Sequence, residues 1–213
     1  MKIIITYKED SQRCKRKNLR EFHEGESILD ITIDQFSGHD VILASIPSET
    51  TSSIAKRHNC KTIDLNKKDE GLSELYYEFS SKLDADNEEP ICYWTPTEVT
   101  YFINNDISDF INFGIEKLKR GKTTMLVRQT RHFFVDEYFS PENFNPGPWH
   151  PYSQHLRPKY IVGWASITTK GHMQKNKYCW GPFSEAYVAK EPYVDIDTEE
   201  EFKMAKVLWK HYV

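Results

Sequence analysis

Short β-branched runs alternate with amphipathic stretches along most of this chain, and that alternation leaves few folds open. Lys2-Ile-Ile-Ile-Thr-Tyr7 is too short for a helix and reads as a buried strand. Ser27 is placed to cap a helix running through Phe36, with Ile28, Ile31, Thr32 and Gln35 at helical spacing. Asp40 to Ser45 and Cys60 to Leu65 follow as strands on either side of a helix from Glu49 to His58. Leu72 to Leu83 puts Leu72, Leu75, Tyr76, Phe79 and Leu83 on one helical face. Pro90 to Trp94 is a further strand, Ile107 to Leu118 a helix closed by Gly121, and Thr123 to Gln129 the next strand. The pattern predicts an α/β fold built on a mostly parallel sheet with helices on both faces.

The pattern breaks between His132 and Pro158, where Pro, Asn, His and aromatic residues follow no period. An irregular excursion of that length inside a domain is commonly functional or a lid. Lys159 to Ile167 returns to strand character, and Lys190 to Ile196 reads as the last strand. The final helix runs from Thr198 to about His211, and Thr198 with Glu201 three residues on forms a capping box. With no repeat or linker in view, residues 1–213 are expected to form one domain carrying an insertion at about 132–158.

Charge and cysteine usage exclude several classes. A net charge of −4 argues against a partner made of nucleic-acid backbone, which favours a basic excess. Local positive charge for small anions is still available. Cys14, Cys60, Cys92 and Cys179 are far apart and form no Cys-x-x-Cys pair, so neither a zinc ribbon nor a redox motif is expected. No apolar run approaches membrane-spanning length, and the five strand-forming residues after Met-Lys are too few for a signal-peptide core. A reducing cytoplasm, with no membrane partner, is the expected setting.

Two stretches offer chemistry. On a strand, Asp195 and Asp197 would share a face, and paired carboxylates at a strand's carboxyl end suit a hard cation such as Mg²⁺. The other reading of the same residues makes Asp197 and the glutamates a helix start, with Asp195 solvated. The Lys8-to-Asn18 loop carries Lys8, Arg13, Lys15, Arg16 and Lys17 directly after the first strand, where α/β folds place phosphate-binding loops. It contains no glycine and is no Walker loop; a solvated basic loop is the plainer account. His132, His150 and His155 lack metal-site spacing and read as surface or structural residues. Trp149, Trp164 and Trp180 read as packing residues.

In order and spacing these stretches resemble the CMP-N-acylneuraminate (sialic acid) cytidylyltransferases and their CMP-sugar synthetase relatives. The family's first strand runs into Ile-Pro-Ala-Arg-x-x-Ser-Lys and then a Lys-Asn pair. Ile5 begins the same register, Lys8 stands at the Arg, Ser11 at the Ser, and Lys17-Asn18 at the Lys-Asn. Thr95-Pro96-Thr97 resembles Gln-Pro-Thr, Ile161 to Ile167 resembles the family's strand around Gly163, and Asp195-Ile-Asp197-Thr-Glu-Glu-Glu-Phe resembles Asp-Ile-Asp-Thr-x-x-Asp-Phe. The departures are Thr6-Tyr7 for Pro-Ala, Gln12 for the loop Lys, Ile46-Pro47 where an acidic residue follows the second strand, and Thr95 for Gln.

The resemblance implies a Rossmann-like fold of the nucleotide-diphospho-sugar transferase type. It also implies transfer of CMP from CTP to an acidic sugar, with pyrophosphate leaving. Lys8, Ser11, Arg13 and Lys17 would meet the phosphates, Asn18 the base or ribose, and Asp195 and Asp197 the Mg²⁺; Lys17 and Asp197 would be the catalytic pair. A homodimer is the implied assembly. Two other readings stand beside it: a degenerate member that binds nucleotide or a partner without turnover, and a glycosyltransferase with Asp-Ile-Asp as its metal motif. The last is disfavoured because only one helix follows the motif.

Overall fold

A computed structural model describes residues 1–66 and 71–213 of the chain. Its strands are β1 (Lys2–Thr6), β2 (Glu21–His23), β3 (Glu26–Ser27), β4 (Asp40–Ser45), β5 (Lys61–Asp64), β6 (Pro90–Trp94), β7 (Thr124–Thr130), β8 (Lys159–Thr169) and β9 (Glu185–Ala189). Its helices are α1 (Ile28–Gln35), α2 (Glu49–Arg57), α3 (Leu72–Lys82), α4 (Ile107–Leu118), α5 (Lys170–Asn176) and α6 (Glu199–Tyr212). Seven strands form one sheet in the order β5-β4-β1-β6-β8-β7-β9, while β2 and β3 pair separately. All sheet pairings are parallel except those of β8, which runs antiparallel to both β6 and β7. The mostly parallel α/β architecture expected from the sequence is the one observed.

The β1 triplet shows why the sheet is covered on both faces. Ile3 and Ile5 pack with Leu29 and Ile33 of α1, Ile54 of α2 and Phe110 of α4. Ile4, pointing the other way, packs with Tyr76 and Phe79 of α3 and Met173 of α5. A third cluster lies beside the sheet and joins the two chain ends. There Cys14 and Phe22 meet Val99, Ile196 and the α6 residues Phe202, Ala205 and Trp209. The Phe22 ring meets Phe202 edge-on at 5.5 Å and Trp209 at 5.9 Å.

Four features differ from the sequence reading. Residues 190–196 are not a strand: the last strand is β9, just upstream, where Tyr187 and Ala189 pack on the core and the chain then leaves the sheet. Thr95-Pro96-Thr97 does not simply end β6 but opens a 3-10 helix, Pro96–Ile103. Helix α5 carries only one buried residue, Met173, too little apolar periodicity to be read. Trp149 is 85% exposed and packs no core, while Trp164 and Trp180 are half-buried. Between β7 and β8 the excursion is ordered by polar contacts. Asn143 accepts from Phe134 N and donates to His132 O, and Arg131 donates to Leu156 O at 2.7 Å.

Helix α1 is fixed at its start and along its side by one carboxylate. Asp30 closes a capping box with Ser27, and also meets Arg57 and the His58 Nε2 at 2.8 Å, tying α1 to α2. Burial pushes the Asp30 carboxyl up, but hydrogen bonds from Ser27, His58 and Arg57 outweigh it and hold the group below its ordinary value of 3.8. A depressed folded value means stabilisation that is complete above that ordinary value and is lost as pH falls through the folded one. Asp30→Asn is therefore expected to flatten the acid limb of thermal stability, followed from about pH 6 down to about pH 2. An acid limb as steep as that of the unmodified chain would assign the acid sensitivity elsewhere.

Candidate functional site

The carboxyl ends of the parallel strands β1, β4 and β6 share one edge of the sheet, where α/β folds gather their ligand-binding loops. The Lys8–Asn18 loop leaves β1 there, and the 3-10 helix leaves β6 there. Residues 193–198 run across the same edge. Thr100 Oγ1 accepts from Val194 N and lies in hydrogen-bonding contact with Val194 O, each at 2.8 Å, and Ile196 N donates to Thr97 O at 3.1 Å. These contacts satisfy the backbone that a sheet neighbour would otherwise have to serve, which is why this extended run is not a strand.

Asp197 is free of capping duty. Thr198 caps α6 through Glu201 N, and the Glu201 carboxylate accepts from Asp197 N at 2.9 Å and Thr198 N at 2.8 Å. The Asp197 carboxylate instead meets Lys17 Nζ at 3.0 Å and an Arg13 guanidinium nitrogen at 2.9 Å. Lys17 is only 7% exposed and also donates to Ile196 O. An ammonium is buried this deeply only when its protons are matched by acceptors, and here both acceptors come from the far end of the chain.

The basic loop therefore divides. Cys14, Lys17 and Asn18 are buried, while Lys8, Arg13, Lys15 and Arg16 are exposed and Ser11 half-exposed. Asn18 Nδ2 donates to Lys8 O at 2.8 Å, closing the loop on itself, and Asn18 Oδ1 is buried without a partner. Arg20 anchors the loop's far side, stacking 3.6 Å over Phe202 and donating to Glu199 at 2.9 Å. Tyr7, at a position where the resembled family has a small residue, turns inward and shares a hydrogen bond with Thr51 of α2 at 2.7 Å. The structure thus brings Arg13, Lys17, Asp195 and Asp197 together, with Asn18 beneath and Lys8 and Ser11 on the outer part of the loop.

Asp195 has lost the strand geometry expected for it, yet it stays close enough to Asp197 and Lys17 to feel both charges. Burial pushes its carboxyl up to about 6; a Thr97 hydrogen bond opposes this and the Asp197 charge adds to it. Its Oδ1 is buried and unpartnered. Among the described residues, no group of three or more His, Cys, Asp or Glu is arranged to hold a metal by itself. Two carboxylates with one orphaned oxygen still fit Mg²⁺, which commonly takes one or two protein carboxylates and completes its shell from water and phosphate.

One residue of the site was not legible in the sequence. Glu98, inside the 3-10 helix, is fully buried and accepts hydrogen bonds from Trp164 N and the Tyr193 hydroxyl. Burial pushes its carboxyl up to about 8, and the neighbouring Asp195 charge adds to the rise. A single Glu among apolar and hydroxyl residues gives no periodic or motif signal.

No protein-family model matches the chain, and no curated protein matches it. By shape it is similar to CMP:2-keto-3-deoxy-manno-octonic acid synthetase complexed with CTP, at a TM-score of 0.67 and 12% identity over 99% of this chain and 98% of that one. It is similar to 4-diphosphocytidyl-2C-methyl-D-erythritol synthase from Anaerococcus prevotii, at 0.66 and 15% identity over 98% and 95%. The 2-C-methyl-D-erythritol 4-phosphate cytidylyltransferase of Francisella tularensis aligns at 0.65 and 12% identity over 97% and 99%. The chain has their fold. It is a nucleotidyltransferase-like α/β fold that serves different acceptors in the proteins named, so the likeness does not single out one substrate.

Gly163 of β8 is required by the site's packing. A methyl added there would lie 2.4 Å from the Tyr193 hydroxyl and 3.2 Å from Glu98 Oε1. Gly163→Ala is expected to lower unfolding free energy by roughly 1–3 kcal/mol, read from the urea midpoint. An unchanged midpoint would mean that Glu98 and Tyr193 move aside freely.

Proposed function

We propose that the chain is a cytidylyltransferase that transfers CMP from CTP to a hydroxyl of an acidic sugar and releases pyrophosphate. The observation that carries this reading is the buried Lys17–Asp197 contact beside the unpartnered oxygen of Asp195. It lies at the carboxyl edge of a sheet whose fold is shared with a synthetase complexed with CTP.

In this reaction the sugar oxygen bonds to the α-phosphorus, the bond to the bridging oxygen breaks, and the hydroxyl proton passes to solvent. Such transfers depend on positioning and on neutralising phosphate charge. Lys17 is the fixed cation, held by Ile196 O and Asp197. Arg13 is the movable one: its side chain is 66% exposed, and an ion pair of that kind is worth about 0–1 kcal/mol, so a phosphate displaces Asp197 from it at little cost. Lys8 and Ser11, on the outer loop, close over the β- and γ-phosphates, and Asn18 Oδ1 supplies an acceptor to the base or ribose side. Mg²⁺ held by Asp195 and Asp197 would neutralise phosphate charge as the leaving group departs.

A second reading, nucleotide or partner binding without turnover, is favoured by the glycine-free loop, in which Arg16 takes a left-handed conformation at φ 52°. One assay separates the two. The chain is incubated with Mg²⁺, each of the four nucleoside triphosphates and a panel of acidic sugars, and pyrophosphate is measured. Release with CTP is expected, and Asp197→Asn should lower it by at least about 10²-fold without unfolding the chain. CTP binding with no release from any combination would favour the second reading.

The reading extends to assembly and setting. Tyr138, Phe139, Trp149 and Tyr152 of the excursion are largely exposed, as are Tyr160, Ile161 and Val162 where β8 begins, and together they suit a homodimer contact. Sedimentation is expected to give twice the chain mass, and Trp149→Asp with Phe139→Asp to give the monomer. A monomer from the unmodified chain would dismiss this assembly. All four cysteines are free and no described helix is long and apolar enough to cross a membrane, which supports a reducing cytoplasm as the setting.

A further inference from the structure

We propose that Glu98 is a positioning residue that replaces a missing sheet partner of β8 and thereby fixes the backbone carrying Asp195. The inference rests on the reading of this edge as the reaction site. Strand β6 pairs with β8 from Pro90 opposite Thr169 to Tyr93 opposite Ser166, and β6 ends one residue later at Trp94. Strand β8 continues past that end. On its other side, β7 pairs Met125 with Ser166 and then Val127 with Val162, so residues 163–165 bulge opposite the single Leu126. Trp164 N is left without a ladder acceptor, and the Glu98 carboxylate takes it.

The second Glu98 oxygen reaches the adjoining segment by accepting from the Tyr193 hydroxyl. Gly163 leaves the space in which this contact is made, since a side-chain carbon there would overlap both groups. The carbonyl of Tyr193 accepts from Arg128 of β7 at 3.2 Å. Thr100 then brackets Val194, and Thr97 O holds Ile196 N. Asp195 thus sits on a backbone fastened on both sides, with Glu98 joining that backbone to the sheet.

Stability alone does not account for a carboxylate in this place. A fully buried charge costs several kcal/mol of desolvation before its hydrogen bonds offset it, and apolar groups of equal volume are often no less stable. What the carboxylate supplies is two directed acceptors on two different elements, which an apolar side chain lacks.

Two variants test this. Tyr193→Phe removes the link and keeps the ring, whereas Glu98→Gln keeps an acceptor for Trp164 N and an amide that can donate to the Tyr193 hydroxyl. For Tyr193→Phe we expect kcat to fall about 10-fold or more with KM for CTP within about 2-fold, the scale found for residues that orient ligands from behind. The Val194 and Ile196 amides of the ligand-free chain should exchange hydrogen at least about 10-fold faster. Glu98→Gln should stay close to the unmodified chain in all three measures. Unchanged exchange in Tyr193→Phe would overturn the proposal. So would an equal loss of kcat in Glu98→Gln with exchange preserved, because the carboxylate would then act through its charge. If the unmodified chain releases no pyrophosphate, the cytidylyltransferase reading falls while amide exchange still decides whether Glu98 fixes the segment.

Discussion

The contact between Lys17 and Asp197 spans 180 residues, and the carboxyl edge of the sheet is organised around it. A buried ammonium must find acceptors or unfold its surroundings, so Lys17 commits the loop after β1 to lie against the segment before α6. Apolar packing makes the same connection. Cys14 of the loop sits among Val99, Ile196, Phe202 and Trp209, and Arg20 stacks on Phe202. Polar and apolar contacts thus fold the two chain ends into one unit, and α6 acts as the clamp behind the loop. Removing the charge from Asp197 would leave Lys17 with only a carbonyl, which is why that substitution tests both the chemistry and the architecture.

The edge also leaves some polar groups deliberately unmatched by protein. Asn18 Oδ1 and Asp195 Oδ1 are buried acceptors without partners, in a molecule whose neighbouring backbone is fully tied. Such groups are uncommon in folded proteins and cost free energy unless something else serves them. Asp195 and Glu98 feel each other's charge, so the ligand-free site holds more negative potential than its own lysine and arginine neutralise. Both features are what a site for a cation and a polar nucleotide requires.

Much of the frame was legible because it follows from local rules. The Ile3-Ile4-Ile5 run alternates between two faces as a buried strand must, Ser27 and Thr198 cap the helices they were expected to cap, and Gly121 follows α4 with a positive φ of 71°. The 190–196 run misled for an instructive reason. Tyr193, Val194 and Ile196 have strand-forming side chains, but strand identity depends on which neighbour takes the backbone hydrogen bonds, and here the 3-10 helix takes them. Trp149 misled in the opposite way, since an aromatic residue carries no local mark of whether a partner surface exists.

The sequence by itself determined the α/β alternation, the helix caps, the basic loop after the first strand and the acidic pair before the last helix, because periodicity, capping and charge are written in neighbouring residues. Tertiary structure alone decided that β8 runs antiparallel and outlasts β6. It alone decided that Glu98 fills the resulting gap, that Lys17 is buried on Asp197 while Arg13 stays exposed, and that Asp195 keeps an oxygen unpaired. Those features arise where segments far apart in the chain meet, and the free energy of burying a charge is set by the neighbours that surround it rather than by its place in the chain.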